Sequence, residues 1–443
     1  MAGSHRAARG GGRAAAREAR RQKARKRNQT IAAGAAVVVL VGGGGVAALN
    51  AFGGDKSPGP KVGNGPSDDK PSDSKVLADD KALLDITTAK KLGTTGAWAI
   101  TKTAEGSDAP EKSFVCQSQR FADPAGQRTW VRTLTNATTK DTAVQYVEVS
   151  NDKAAAGKAY SSIVGWLSSC AVPQTRLVAS YVTTGVGERG VIAVYETPSG
   201  TKTRYKTIAV SLAGQATSVL EHDSLAASPP KPDAMLATAT AGVQKLCTQS
   251  GGCGAGAAVA TVSLLPFTDT PGFMTSVDLP TLSQIKTPWV AVAAATGSGT
   301  TCEKIDLKKT KPVKASTYTY VTPDAGVATE FGLDDTVIKF ASATVAKNFV
   351  TGIRKNVDGC GKAVSNATAK STGSISTPSI KGETWRATYD TGGGKKFTYR
   401  IGIASAGTQA VYLLFPVLED LDITDTDFNQ TLTRAAERAT IYK

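Results

Sequence analysis

The sequence predicts an α+β fold: two tandem homologous domains, each an antiparallel sheet packed with helices and stapled by disulfides, after an N-terminal transmembrane helix. Three observations carry this. Cys116 to Cys170 encloses an aromatic segment and then a helical one, and Cys302 to Cys360 does the same. A tryptophan precedes each first cysteine, Trp98 in Gly-Ala-Trp-Ala-Ile and Trp289 in Thr-Pro-Trp-Val-Ala. Further on, Tyr195 in Val-Tyr-Glu-Thr-Pro-Ser-Gly matches Tyr389 in Thr-Tyr-Asp-Thr-Gly-Gly-Gly, and Ala213-Gly214-Gln215-Ala216 matches Ala406-Gly407-Thr408-Gln409-Ala410. The offset is 186 for the first cysteines, 190 for the second, 191 for the tryptophans and 194 for the tyrosines. A duplicated domain with a few loop insertions leaves such a drift. The period is far longer than the roughly 20–50 residues of solenoids, and each copy is long enough to bury its own core.

Residues 1–30 form a basic tail. Ten Lys or Arg against Glu18 give its first 28 residues +9 of the formal net +15, so the basic signal belongs to the tail and not to a folded groove. Ile31 to Phe52 is an uncharged run of 22 residues, enough to cross a bilayer core of about 30 Å as a helix. A cleaved signal peptide is the other reading of this run. The long basic region and the lack of an Ala-x-Ala site favour an uncleaved signal anchor, 31–52. Ten cations before the span place the N-terminus in the cytoplasm and both repeats outside the cell membrane. The tail is read as a topology signal that also touches anionic lipid. No nucleic acid is expected as a partner, since no aromatic residue interleaves with the basic ones. Residues 53–76, rich in Gly, Pro, Ser, Asp and Lys, read as a disordered linker with ends roughly 25–30 Å apart.

The copies then run over 77–253 and 254–443. Each opens with a short helical stretch, Asp80 to Leu92 or Pro280 to Ile285, followed by the tryptophan strand. Alternation in Val144-Gln145-Tyr146-Val147-Glu148-Val149 suits a half-buried strand. Asn151 or Asp152 caps a helix that ends at Cys170, with Ala156, Tyr160, Ile163, Val164 and Leu167 on one face. Its counterpart carries Val345, Phe349, Ile353 and Val357. Three strands follow in each copy, near 189–196, 202–210 and 215–221, and near 384–391, 395–403 and 409–415, joined by tight turns as an antiparallel meander. A last helix closes each copy, near 232–246 and 426–440.

All six cysteines lie beyond the span, as in an oxidising compartment. The repeat pairs Cys116 with Cys170 and Cys302 with Cys360, which leaves Cys247 and Cys253 in a tight glycine-rich loop at the junction. Zinc requires paired short spacings that are absent here, and no metal is expected.

Chemistry is sparsely signalled. Gly185-Val186-Gly187-Glu188-Arg189-Gly190 spells a dinucleotide fingerprint, but a strand follows instead of the required helix, so a hairpin turn is expected. The exterior part has one histidine, His222, and the second copy has none; no Gly-x-Ser-x-Gly elbow appears. The chain is read as non-enzymatic, with no cofactor. The acidic run Glu419 to Asp427 lacks the Gly and closing Glu of a calcium loop, and Asp425 or Asp427 is expected to cap the last helix. Trp98, Tyr195, Trp289 and Tyr389 are core residues on the plain reading and ligand-binding candidates on the sharper one, lining an apolar cleft.

Over about residues 78–443 the chain resembles two tandem copies of the extracellular sensor domain of PknH-type bacterial serine/threonine kinases. The Trp98/Cys116/Cys170 and Trp289/Cys302/Cys360 frameworks, the Cys-terminated helix, the closing strands and the final helix carry the resemblance. It implies an α+β fold with disulfides and an apolar cleft that receives a ligand. The cytoplasmic tail has no Gly-rich loop, catalytic Asp or activation loop, so no kinase activity comes with it. The second copy has one disulfide of its own, which leaves its final helix to be held by packing alone. The function expected is that of a membrane-anchored sensor binding an envelope lipid or cell-wall fragment, with a protein partner for any inward signal. The alternative is an envelope assembly or scaffold protein that docks other proteins.

Overall fold

Alternating apolar residues, strand after strand, build two antiparallel sheets, one for each repeat. The computed structural model describes residues 79–442 apart from 94, 200–201, 267–269, 297–298, 325, 329–330 and 419. The first sheet comprises β1 (Trp98–Glu105), β2 (Arg128–Asn136), β3 (Thr142–Val149), β4 (Arg176–Thr184), β5 (Arg189–Ser199), β6 (Lys202–Ala213), β7 (Ala216–Ala226) and β8 (Val259–Val262). Its order is β1-β2-β3-β7-β6-β5-β4-β8. The second comprises β9 (Val290–Ala294), β10 (Lys314–Val321), β11 (Leu333–Lys339), β12 (Ala367–Ser376), β13 (Ile380–Asp390), β14 (Lys396–Ala406) and β15 (Gln409–Val417). Its order is β9-β10-β11-β15-β14-β13-β12, the order of the first sheet without β8. Both sheets therefore repeat one topology, and the α+β reading holds. Four strands, not three, follow each Cys-terminated helix: β4 and β12 carry mixed, half-exposed residues without clean alternation.

Helices lie on both faces of each sheet. In the first, α1 (Lys153–Ser168) packs with Ile208, Val210 and Leu212, while α2 (Asp233–Ser250) packs with Ala209, Ala213 and Leu220. In the second, α3 (Ala343–Asp358) packs with Ile401 and Ile403, and α4 (Asp425–Ala439) with Ala404 and Ala406. Successive strand residues point to opposite faces, so one strand feeds two cores. Asp152 caps α1, accepting from the Ala155 amide at 2.8 Å. The predicted stripe of α1 is buried in full. On α3, Val345 is 42% exposed and Ala346 takes its place in the core. No helix forms over Pro280 to Ile285; a 3-10 turn at Ser276–Asp278, capped by Thr275, replaces it. Pro280 sits behind that turn, where its ring cannot continue a helix.

All three disulfides form as paired from the sequence: Cys116–Cys170, Cys247–Cys253 and Cys302–Cys360. Cys116 and Cys302 lie in loops rather than strands. The small bridge clips a loop onto the β6–β7 turn. A Cβ on Gly252 (φ +78°) would sit 2.2 Å from the Gly214 nitrogen, so only glycine permits this approach. Replacing Cys302 and Cys360 by serine should cost about 4 kcal/mol and opening the 247–253 loop about 2 kcal/mol, by the loop lengths they close. Urea unfolding midpoints compare the two; equal losses would contradict the loop-length argument.

The repeats are joined by more than a covalent linker. β8 leaves the junction loop and pairs antiparallel with β4, from Tyr181 opposite Val262 to Thr184 opposite Val259. Leu265 and Val277 enter the core beneath α1 and Tyr195. Arg176 on β4, 5% exposed, binds Asp427 of α4 at 2.6 Å and also Gln430. The final helix of the second repeat is thus not held by packing alone. Arg438 on α4 donates to buried Asp278, and Arg434 reaches the Val178 carbonyl of the first repeat at 3.4 Å. Among the described residues no helix is long and apolar enough to cross a membrane, and the run 31–52 lies outside the described residues.

Candidate functional site

The four aromatic candidates are not brought together. Trp98 and Trp289 occupy matching places at the entry to their edge strands. Each ring nitrogen donates to a carbonyl of the preceding segment, Trp98 to Gly93 and Trp289 to Pro280, both at 3.1 Å. Trp98 lies 6.0 Å from His222, and Trp289 lies 5.8 Å from Phe331. The tyrosines do not match. Ile208 and Ile401, each five residues before the Ala213 and Ala406 turns, face Ala193 and Trp385. Counted from there, Tyr195 corresponds to Ala387, and Tyr389 to Thr197. The shared Tyr-Glu/Asp-Thr motif lies two residues out of register. Tyr195 is fully buried and its hydroxyl donates to the Leu167 carbonyl at 2.6 Å; burial pushes its pKa up. Tyr389 is half-buried beside the Cys302–Cys360 bridge, with Thr300 and the Cys302 amide at its hydroxyl.

Two hollows stand out. A cavity of about 20 Å³ touches Trp289, Cys170, Gln174 and Ile285 between the repeats. An open groove of about 320 Å³ runs along α2 past Lys91, Asp233, Leu236 and Gln244, and includes none of the four candidates.

The remaining motifs have structural roles. The dinucleotide-like glycines form the β4–β5 hairpin, with Gly185 at φ +74° and Gly187 at φ +64°. Thr424, not Asp425 or Asp427, caps α4, accepting from the Asp427 amide at 3.0 Å. Asp422 is claimed by arginines: Arg386 at 2.7 Å and Arg400 at 2.7 Å, with Arg400 also reaching Asp425 at 2.5 Å. Burial alone would raise the pKa of Asp422; the Arg400 guanidinium outweighs it and holds the carboxyl below its usual range. His222 stands 3.7 Å from Asp141, and burial lowers its pKa.

The strand edges differ more than the cores. A bare edge offers a row of unpaired backbone groups, and proteins blunt it with lysine, proline, bulges or shortness. β1 carries Lys102 and a bulge between Ile100 and Lys102. β12 carries Lys370 and a bulge between Ser371 and Gly373. β8 is four residues long. β9, Val-Ala-Val-Ala-Ala, has none of the lysine, proline or bulge devices, and its five residues are all exposed. Exposure continues through Ala295 and Thr296, while Pro288 bounds the other end. Val290 and Val292 are 43% and 37% exposed on one face. Among the described residues, β10 is its one partner strand. An exposed uncharged apolar run of this kind ordinarily signals a binding surface. In the sequence the signal for this edge is six small apolar residues directly after Trp289, Val290 to Ala295, with no charge among them.

No protein-family model matches the chain, and neither does any curated protein.

Proposed function

We infer that this chain is a non-enzymatic, extracytoplasmic docking protein, tethered by a single span over 31–52 with its basic tail in the cytoplasm, that accepts an extended protein segment along β9. The open, uncharged edge of β9 carries this reading. A strand added there gains backbone hydrogen bonds, and the Val and Ala side chains set its fit. Three disulfides suit an oxidising exterior. A PknH-like sensor origin for both repeats rests on the tryptophan and cysteine frameworks. Binding of an envelope lipid or cell-wall fragment has less support, since neither hollow among the described residues is both closed and ligand-sized.

A photo-crosslinking residue at Ala293 tests the reading in cells. It should give discrete protein adducts that disappear when Val292→Lys is added, while the same residue at Thr103 of β1 gives none. Absence of adducts at 293, or equal labelling at both sites, would overturn it.

A further inference from the structure

We propose that the segment seated on β9 is β9 of a second copy of this chain, paired antiparallel about a two-fold axis through Val292. The inference rests on the docking reading above and names its partner.

The strand fits itself. With Val292 facing its own symmetry mate, Ala291 faces Ala293 and Val290 faces Ala294, so each larger side chain on the outer positions meets a smaller one. Directly opposed residues share a face, as a continuous sheet requires. No residue of the strand is charged, so self-pairing opposes no like charges. An edge such as β1, with Lys102 and a bulge, is built against this kind of pairing. Pro288 has no N–H and stops the ladder at one end, which confines pairing to the open run. The product joins two seven-stranded sheets through their β9 edges. Copies anchored in one membrane meet at a higher effective concentration than free ones, which helps a short strand pair. A two-fold pairing consumes the same β9 edge on both copies, so association through this edge stops at two, a closed isologous dimer.

All six native cysteines are in disulfides, so a single new thiol reads the register cleanly. In the proposed pair the two Val292 Cβ atoms lie about 4.5–5.5 Å apart, near disulfide reach, whereas Ala293 lies about 7–8 Å from its own mate. In the full chain, Val292→Cys should therefore cross-link into a dimer under mild oxidation and Ala293→Cys should do so at least several-fold more slowly. The wild-type chain should sediment as a dimer. Val292→Lys, which opposes two ammonium groups at the axis, should sediment as a monomer. Monomeric Val292→Cys, equal cross-linking at both positions, or a monomeric wild type would overturn the proposal. If photo-adducts at Ala293 then contain a different protein, docking stands and its occupant changes; if there are none, both readings fall.

Discussion

Replacing Arg438 by methionine should lower the stability of the protein by about 3–5 kcal/mol, because it strands a carboxylate in the core. Arg438 is 1% exposed and Asp278 2% exposed. The guanidinium donates through Nε to Asp278 and through Nη2 at 3.3 Å. What remains for Asp278 is the Thr275 amide at 2.7 Å, the Thr275 hydroxyl at 3.1 Å and Arg434 at 3.7 Å. The first repeat supplies the control. There Lys245, at the matching place on α2, pairs with Asp85 at 2.5 Å, where the carboxylate is 48% exposed. Lys245→Met should cost under about 1 kcal/mol, since solvent screens such a pair. The acid has moved from the cap of the turn, Asp85, to its inner end, Asp278, and so from surface to core. Removing both charges, in Asp278→Thr with Arg438→Met, should restore most of the loss. Urea unfolding of the variants decides this. An Arg438→Met protein within 1 kcal/mol of wild type would mean the pair is not what holds α4.

Asp335→Asn should abolish a pH dependence that the wild type shows between about pH 4 and 7. Asp335 on β11 is wholly buried. Burial pushes its carboxyl up to about 7; the Met274 amide opposes the shift and the charge of Asp278 adds to it. In the unfolded chain the group titrates near 3.9. Between the two values the native state holds a proton that the unfolded state has released. The contribution is therefore fully present below about pH 4 and is lost as pH rises through 7, by roughly 4 kcal/mol. The asparagine variant should match wild type near pH 4 and exceed it at pH 8. Parallel stability curves across that range would refute the assignment. The first repeat again shows a neutral version. Gln145 stands at the corresponding place, faces Leu220 as Asp335 faces Leu413, and accepts the Leu84 amide as Asp335 accepts that of Met274.

Much of the fold was legible because duplication doubles every signal. The helix stripes, the disulfide pairing and the turns at Ala213 and Ala406 appear twice, and chance seldom repeats an error. What escaped had no local signature. β4 and β12 were missed because they are edge or near-edge strands with mixed residues on both faces. The tyrosine match misled because a short motif tolerates a two-residue shift that preserves its face but not its neighbours. Arg438 with Asp278, and Arg176 with Asp427, join residues 160 and 251 apart in sequence, and nothing in their immediate surroundings marks them as partners. The open edge was visible as composition, but its exposure depends on where the sheet ends.

The strand β8 shows that the two repeats no longer own their parts separately. The border suggested by the cysteines falls before Val259, yet the first sheet takes its last strand, and its core takes Leu265 and Val277, from beyond that border. The repeats are separable in sequence but fused in structure: the first is complete only while the segment that opens the second is attached. The outer edges nevertheless differ between the repeats: β1 carries Lys102 and a bulge, whereas β9 carries neither.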